Sequence, residues 1–222
     1  MAKKSESSLS LSGAGKFLFG IFLSIFALIL TYSFLKLLSS FRIEVNEAYF
    51  LLGAGSYALF HFLFRKPFLP YIFGHELSHA LSILLLKGKV KKIHISAQRG
   101  SVKGTKTNFF IALSPYLFPI YSLAIVIVYL LLSIFLDVRK YLSFFLFLIG
   151  FTWAFHLLLT VYFLSQRQRD IIQTGRLFSF SLIYTVNLLT LVFILSCLSK
   201  HISFEHFLLV VEKEIRKVLA YL

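Results

Sequence analysis

The chain has 222 residues, of which 58% are hydrophobic, 18% aromatic and only 14% charged, and its mean hydropathy is +0.84. Soluble domains are typically about 45–50% apolar, so this composition argues against a soluble enzyme and predicts a helical protein that crosses a membrane several times. The net charge of +14 comes from basic residues that flank the apolar runs. Contact with lipid headgroups explains these basic residues more simply than binding to nucleic acid does. We therefore expect a lipid bilayer, and no nucleic acid, among the partners. The single cysteine, Cys197, leaves no disulfide partner within the chain and no thiolate metal site.

The N-terminal part of the chain contains a polar tail and two apolar segments. Residues 1–16 are small and polar and are predicted to form a flexible tail. The segment 17–38 is too long for the apolar core of a signal peptide, and no small-residue cleavage site follows it, so we expect it to be a retained transmembrane helix. A second span is predicted at 47–64, where Gly53 and Gly55 interrupt the apolar run.

The third apolar segment, 68–86, contains the sequence His75-Glu76-Leu77-Ser78-His79. Residues four apart lie on the same face of a helix, so His75 and His79 can bind one zinc ion. Glu76 is then placed to accept a proton from a water that the zinc activates. The alternative is that these side chains only pack inside a helical bundle. Burying a charged group at membrane depth costs about 2.5–3.5 kcal/mol or more, and a metal ion is the simplest compensation.

The remaining segments complete the predicted fold. Residues 87–108 carry seven Lys or Arg, and their alternating pattern and glycines predict a short strand-like hairpin. Spans at 109–136, 141–164 and 177–198 bring the predicted number of transmembrane helices to about six, with Pro115 and Pro119 kinking the first of these three. Apolar residues recur at helical spacing over 204–222, which predicts an amphipathic helix on the membrane surface. The predicted fold class is thus an all-α polytopic membrane protein with one domain at 17–200 and a C-terminal interfacial helix at 201–222.

A catalytic zinc normally has three protein ligands and one open position, so a third donor is needed. Asp170 follows the fifth span on the side of the membrane where the third span ends; the alternative is that it only begins a helix and pairs with Arg167 or Arg169. His156 lies eight residues before the end of the fifth span, about 12 Å deep, which matches the depth of His79. It is either a ligand or a histidine hydrogen-bonded within the bundle. Asn187, in the sixth span, either binds substrate backbone or ties two helices together.

Several segments together resemble one known family. FLPYIFGHELSHALSILLL, the KGKV that follows it, SPYLFP at 114–119 and FHLLLTVYFLSQRQRDIIQTGRLFS at 155–179 are similar to the site-2 protease family of intramembrane zinc metallopeptidases, in its compact bacterial branch. The similarity covers about 65–195 of the sequence. It implies a zinc-dependent intramembrane endopeptidase in a bacterial inner membrane that acts on membrane-protein substrates.

The resemblance also implies roles for individual residues. His75 and His79 correspond to metal ligands, Glu76 to the general base and Asp170 to the third ligand. Asp170 stands between Arg169 and Ile171 rather than in the family's Leu-Asp-Gly context. A non-proteolytic membrane regulator and a small cation transporter on the same scaffold are the alternative functions.

Overall fold

Most of the chain is helical. The computed structural model describes residues 13–96 and 99–220, and 78% of these residues are in helices. The helices of the described part are α1 (Gly13–Leu38), α2 (Val45–Leu63), α3 (Phe68–Leu85), α4 (Phe109–Leu117), α5 (Ile120–Phe135), α6 (Leu142–Leu164), α7 (Arg169–Thr174), α8 (Arg176–Leu198) and α9 (Phe204–Ala220). A 3-10 turn at Val138–Tyr141 precedes α6, and strands β1 (Val90–Ile95) and β2 (Gly100–Gly104) separate α3 from α4. Of the predicted tail, residues 1–12 lie outside the described residues, and 13–16 form the first turn of α1.

Three helices are long and apolar enough to cross a membrane: α1, α6 with the turn before it, and α8. The number becomes four if α4 and α5 count as one broken span, bent by 71°. Six spans are therefore not confirmed. Among the described helices, α2 and α3 do not join this set because polar residues, including Glu47 and Glu76, interrupt their apolar sequence.

The predicted kink in the fourth apolar segment is confirmed at Pro119. α4 ends at Leu117, Phe118 has extended backbone angles, and α5 begins at Ile120 immediately after the proline. Proline disfavours helical angles in the residue before it, which explains the break. Pro115, in contrast, lies within α4.

α1 and α8 run in the same direction. Gly20 lies against Phe178, and further along both helices the Ser24 and Ser181 hydroxyls are 2.7 Å apart. The residue numbers of the contacting positions therefore increase together along both helices, as in a parallel pair.

α2 and α6 are also parallel and pack very closely. A Cβ atom on Gly53 would overlap the backbone of α6, and one on Gly150 would overlap the carbonyl of Phe50. About one turn further along each helix, the rings of Tyr57 and Phe155 are 5.3 Å apart. Small residues at such a crossing allow backbones to approach, which is a common way of joining helices in membranes.

These directions define two ends of the bundle. We use the name far end for the end of the bundle at which α1 and α8 finish and at which α2 and α6 begin. The opposite end carries the strands, and we call it the hairpin end. At the far end His201, just after α8, pairs with Glu44, just before α2, at 2.9 Å. α9 packs here as well: Phe207 and Val211 are buried in the core, and Glu214 binds Lys36 of α1 at 2.6 Å.

α4 and α5 both lead from the hairpin end towards the far end. Phe109 of α4 contacts Phe178 near the start of α8, with ring centroids 5.5 Å apart. α5 is antiparallel to α6, since Tyr121 meets Phe155 while Tyr129 meets Phe145.

α3 begins and ends near the hairpin end. Its first residue, Phe68, contacts Phe163 close to the end of α6, with ring centroids 5.7 Å apart. Just beyond its last residue, the carbonyl of Leu86 accepts a hydrogen bond from Lys106 at 2.7 Å, shortly before α4.

The polar segment after α3 forms a small two-stranded antiparallel sheet, as predicted in outline. Ile93 pairs with Val102 and Ile95 with Gly100, and a bulge lies between Val90 and Lys92. Both strands pack against α3, which places β2 beside the HELSH sequence.

Candidate metal centre

Three side chains with metal-binding atoms come together where α3 meets α7. His75 and His79 stand one turn apart on α3, and the Nε2 atom of each lies 3.6 Å from Oδ2 of Asp170. One ligand atom from each residue lies within 4.8 Å of the others. The structure thus brings Asp170, rather than a residue of another element, to the two histidines.

The spacing of these atoms fits a zinc ion. Zinc takes nitrogen and oxygen ligands at about 2.0–2.2 Å in a tetrahedron, which sets neighbouring donor atoms about 3.4 Å apart. The two separations of 3.6 Å are close to this value. Two imidazoles and one carboxylate are also a ligand set of catalytic zinc sites, which leave the fourth position open.

α4 holds the imidazole of His79 in a defined orientation. Nδ1 of His79 lies 2.8 Å from the carbonyl oxygen of Ile111. When Nδ1 donates its hydrogen there, Nε2 keeps a lone pair for a metal, which is the usual support for a histidine ligand. Ser114 joins the same two helices by donating to the carbonyl of Ser78 at 3.2 Å. Nδ1 of His75 is buried and finds no partner among the described residues.

Asp170 reaches the histidines because α7 is short and folds back beside α8. Gly175 makes the turn between the two helices with φ of 101°, and Ile171 is buried next to Asp170. Within the described part of the chain, the ion pairs of Asp170 are with the two histidines and not with its arginine neighbours. Burial alone would raise the pKa of the Asp170 carboxyl, but the two imidazoles hold that pKa well below its usual value. The carboxylate is therefore ionised, as a ligand must be.

Glu76 lies beside this cluster with one oxygen unused. It is buried, and its Oε2 atom has no hydrogen-bond partner in the part of the chain that is described. Its other oxygen lies against Gly100 at the start of β2, where any Cβ atom would overlap the carboxylate. With a larger residue at this position, either the strand or the Glu76 side chain would have to shift, so β2 lies directly over Glu76.

The cluster faces a cavity of about 1080 Å³ that opens at the hairpin end. α3, the hairpin and residues 167–173 form its walls, and all three residues of the cluster line it together with Glu76. Among the residues that the structure describes, two acidic residues line the cavity, Glu76 and Asp170, and six basic residues do so: Lys91, Arg99, Lys103, Lys106, Arg167 and Arg169.

The two other residues singled out in the sequence, His156 and Asn187, do not belong to the cluster and do not line the cavity. His156 is buried beside Asn187, and its Nε2 atom has no hydrogen-bond partner among the described residues. Asn187 donates to the carbonyls of Tyr116 at 2.9 Å and Ile183 at 2.8 Å, so it ties α8 to α4.

Sequence reasoning did not identify two residues that contact the site. Gly100 was only one of several glycines that indicated a hairpin. Tyr116 is fully buried with its ring edge-on to His75 at 5.1 Å between centroids, and its hydroxyl has no partner in the described residues. Both contacts join segments distant in sequence, and no local pattern marks them.

Comparison with known proteins assigns no family to the chain. No protein-family model matches it, no curated protein matches it, and no solved structure matches it. The resemblance of the HELSH segment to site-2 proteases therefore stays a prediction.

Proposed function

We propose that the chain is a zinc-dependent intramembrane endopeptidase that hydrolyses peptide bonds in transmembrane or membrane-adjacent segments of other membrane proteins. The observation that carries the proposal is the convergence of His75, His79 and Asp170 beside Glu76, at the wall of a cavity in an apolar helical bundle. Two imidazoles, a carboxylate and an adjacent glutamate are the groups that hydrolytic zinc sites use. The resemblance to the site-2 protease family supports the same function and a bacterial inner membrane as its location.

Each side chain of the cluster has a role in this chemistry. Zinc held there would polarise the scissile carbonyl and lower the pKa of a water towards 7. Glu76 accepts the proton of the attacking water on its free oxygen and passes it to the leaving amide nitrogen. His75 and His79 would hold the metal through Nε2, and the carbonyl of Ile111, by accepting from Nδ1, would keep His79 in the required tautomer. Asp170 supplies the negative charge among the ligands.

β2 is suited to present the substrate. A helical segment hides its carbonyl groups in hydrogen bonds, so it must unwind before hydrolysis. All five residues of β2 line the cavity, and the strand pairs with β1 along one edge of the two-stranded sheet. An extended substrate segment that pairs with the other edge would pass directly over Glu76.

We further propose five membrane crossings, by α1, α2, the α4–α5 pair, α6 and α8. Six alternating crossings would make α2 antiparallel to α6 and α1 antiparallel to α8, whereas both pairs are parallel. If α3 does not cross the membrane, the alternation of the other five crossings makes both helix pairs parallel, as observed. In agreement with this, α3 begins and ends near the hairpin end. α3 then enters the bilayer from that end without crossing it, which brings the HELSH sequence to membrane depth beside a polar opening. α9 lies at the opposite surface.

Cleavage of a transmembrane test substrate by the purified chain tests this function. We expect the wild type to cleave it, a zinc chelator to stop cleavage and added zinc to restore it. Glu76→Gln should retain zinc and cleave at least about a hundredfold more slowly, because a general base contributes about 10²–10⁴ to the rate. Glu205→Gln, at an exposed glutamate of α9, is the matched control and should cleave like the wild type. Wild-type cleavage rates in Glu76→Gln would overturn the proposed role of the base.

The same preparation separates the alternative functions. A cation transporter would carry zinc across sealed vesicles and leave the substrate intact. A non-proteolytic regulator would bind a membrane protein without cutting it and without metal flux.

A further inference from the structure

The cavity in front of the candidate metal centre has a strongly basic wall. Within the ranges that the structure describes, six Lys or Arg side chains line it, while its two acidic residues are Asp170 of the cluster and Glu76 beside it. Among the described residues, none of these six basic side chains takes part in an ion pair. Uncompensated charges of one sign around a cleft concentrate ligands of the opposite sign.

The placement of these charges favours a ligand inside the cavity over headgroups around the protein. They come from separate segments, including β1, β2 and the connection before α7, and they share one cavity. Other lysines of the same hairpin, Lys89 and Lys92, do not line it. If the lysines only anchored the hairpin to lipid, we would not expect them to converge on the opening of the metal centre.

We propose that this cavity selects substrate segments that carry acidic side chains close to the scissile bond, an inference that rests on the proposed proteolytic function. The position of Lys103 specifies where in the substrate the acidic residue would lie. Gly100 lies over Glu76, and Lys103 is three residues further along β2, which is about 10 Å in a strand. A substrate paired with β2 therefore places a residue about three positions from the scissile bond next to Lys103. An aspartate or glutamate fits there.

Binding of short peptides tests the inference without requiring cleavage. The protein is the full chain with Glu76→Gln in lipid nanodiscs of phosphatidylcholine, so that bound peptide is not cut. The probes are fluorescent peptides with one apolar core and either Asp, Asn or Lys three residues from its centre on each side. We expect the Asp peptide to bind about tenfold more tightly than the Asn peptide at low salt. The difference should shrink at about 1 M salt, where the Debye length is about 3 Å.

Two pairs of lysines in the hairpin provide matched variants. Lys91→Gln/Lys103→Gln should weaken binding of the Asp peptide by roughly three- to tenfold and leave the Asn peptide unchanged. Lys89→Gln/Lys92→Gln removes the same charge from the same hairpin outside the cavity and should change neither. If the first variant fails to fold, the salt dependence of peptide binding to the protein with all its lysines intact decides the question alone.

The outcomes are separable from those of the proposed function. Equal affinity for the Asp and Asn peptides, or equal losses in both lysine pairs, overturns the inference even if the wild type cleaves membrane substrates. Retention of anionic phosphatidylglycerol that depends on Lys91 and Lys103, without any peptide preference, also overturns it and assigns the wall to lipid. Preference for the Asp peptide in a chain that cleaves nothing supports acidic-peptide selection and contradicts the protease.

Discussion

At the scale of single residues, the third donor is the most informative position. Asp170 lies 3.6 Å from both histidines, whereas His156 is outside the cluster. Asp170→Asn should therefore lower zinc affinity about a hundredfold, because it removes the negative ligand, and His156→Gln should leave zinc affinity unchanged. Titration against a competing chelator measures both, with helix content by circular dichroism as the control for folding. The opposite pattern would make His156 the third ligand.

Gly100 gives a second prediction at this scale. Gly100→Ala places a methyl group where the Glu76 carboxylate now lies, so either β2 or the carboxylate must move. We expect cleavage to fall about tenfold or more, because displacements of about 1 Å at a reacting group are costly, while zinc stays bound. Ser101→Ala, at the next residue of the strand, is the control. Full activity in Gly100→Ala would show that the strand does not position the base.

The motif predicted the two histidines directly, whereas Asp170 was preferred as the third donor only through the family resemblance, and the difference has a physical reason. The i, i+4 spacing on a helix places His75 and His79 on one face whatever the rest of the fold does. Asp170 follows a short polar connection whose path depends on the turn at Gly175 and on the burial of Ile171. Depth along a span could not separate it from His156, because depth does not say which way a side chain points.

At the scale of the elements, the close crossing of α2 and α6 should be a main source of stability. Gly53→Ala inserts a methyl group into the backbone of α6, and such overpacking typically costs about 1–3 kcal/mol. Gly55→Ala is a matched control in the same helix, because nothing lies within 4 Å of a Cβ atom there. Thermal unfolding in detergent should show a lower midpoint for the first variant and no loss for the second. Equal midpoints would mean that the crossing is looser than described.

The lengths of the elements were predictable, and their directions were not. Apolar run length and proline position specify where α1, α6, α8 and the broken α4–α5 pair begin and end. Whether α3 crosses the membrane depends on contacts such as Phe68 with Phe163, which join segments far apart in sequence. Each long apolar segment was counted as one crossing, and this led to a six-span prediction that the parallel helix pairs do not support.

At the scale of the whole molecule, the charge distribution predicts an orientation for the proposed membrane topology. Of the Lys and Arg residues described, 13 are at the hairpin end (Lys16, Arg65, Lys66, Lys87, Lys89, Lys91, Lys92, Arg99, Lys103, Lys106, Arg167, Arg169 and Arg176) and 8 at the far end (Lys36, Arg42, Arg139, Lys140, Lys200, Lys213, Arg216 and Lys217). Under the proposed topology, the positive-inside rule predicts that the hairpin end, and with it the opening of the cavity, faces the cytoplasm.

Labelling of single cysteines in intact cells tests this arrangement. In a Cys197→Ser background, a membrane-impermeant reagent should label Ser40→Cys and Lys140→Cys, which lie at the far end. It should reach Ser101→Cys only after the cells are permeabilised. Six alternating crossings would instead put residues 40 and 101 on the same side and residue 140 on the other, so the labelling pattern distinguishes the two topologies.

The zinc content of the purified chain is the most direct test of the central claim, that His75, His79 and Asp170 form a metal centre inside the bundle. We predict one zinc per chain in the wild type and in Glu76→Gln, and its loss in His75→Ala/His79→Ala with helix content unchanged. A folded wild type that binds no zinc, or a double variant that keeps it, would contradict the account.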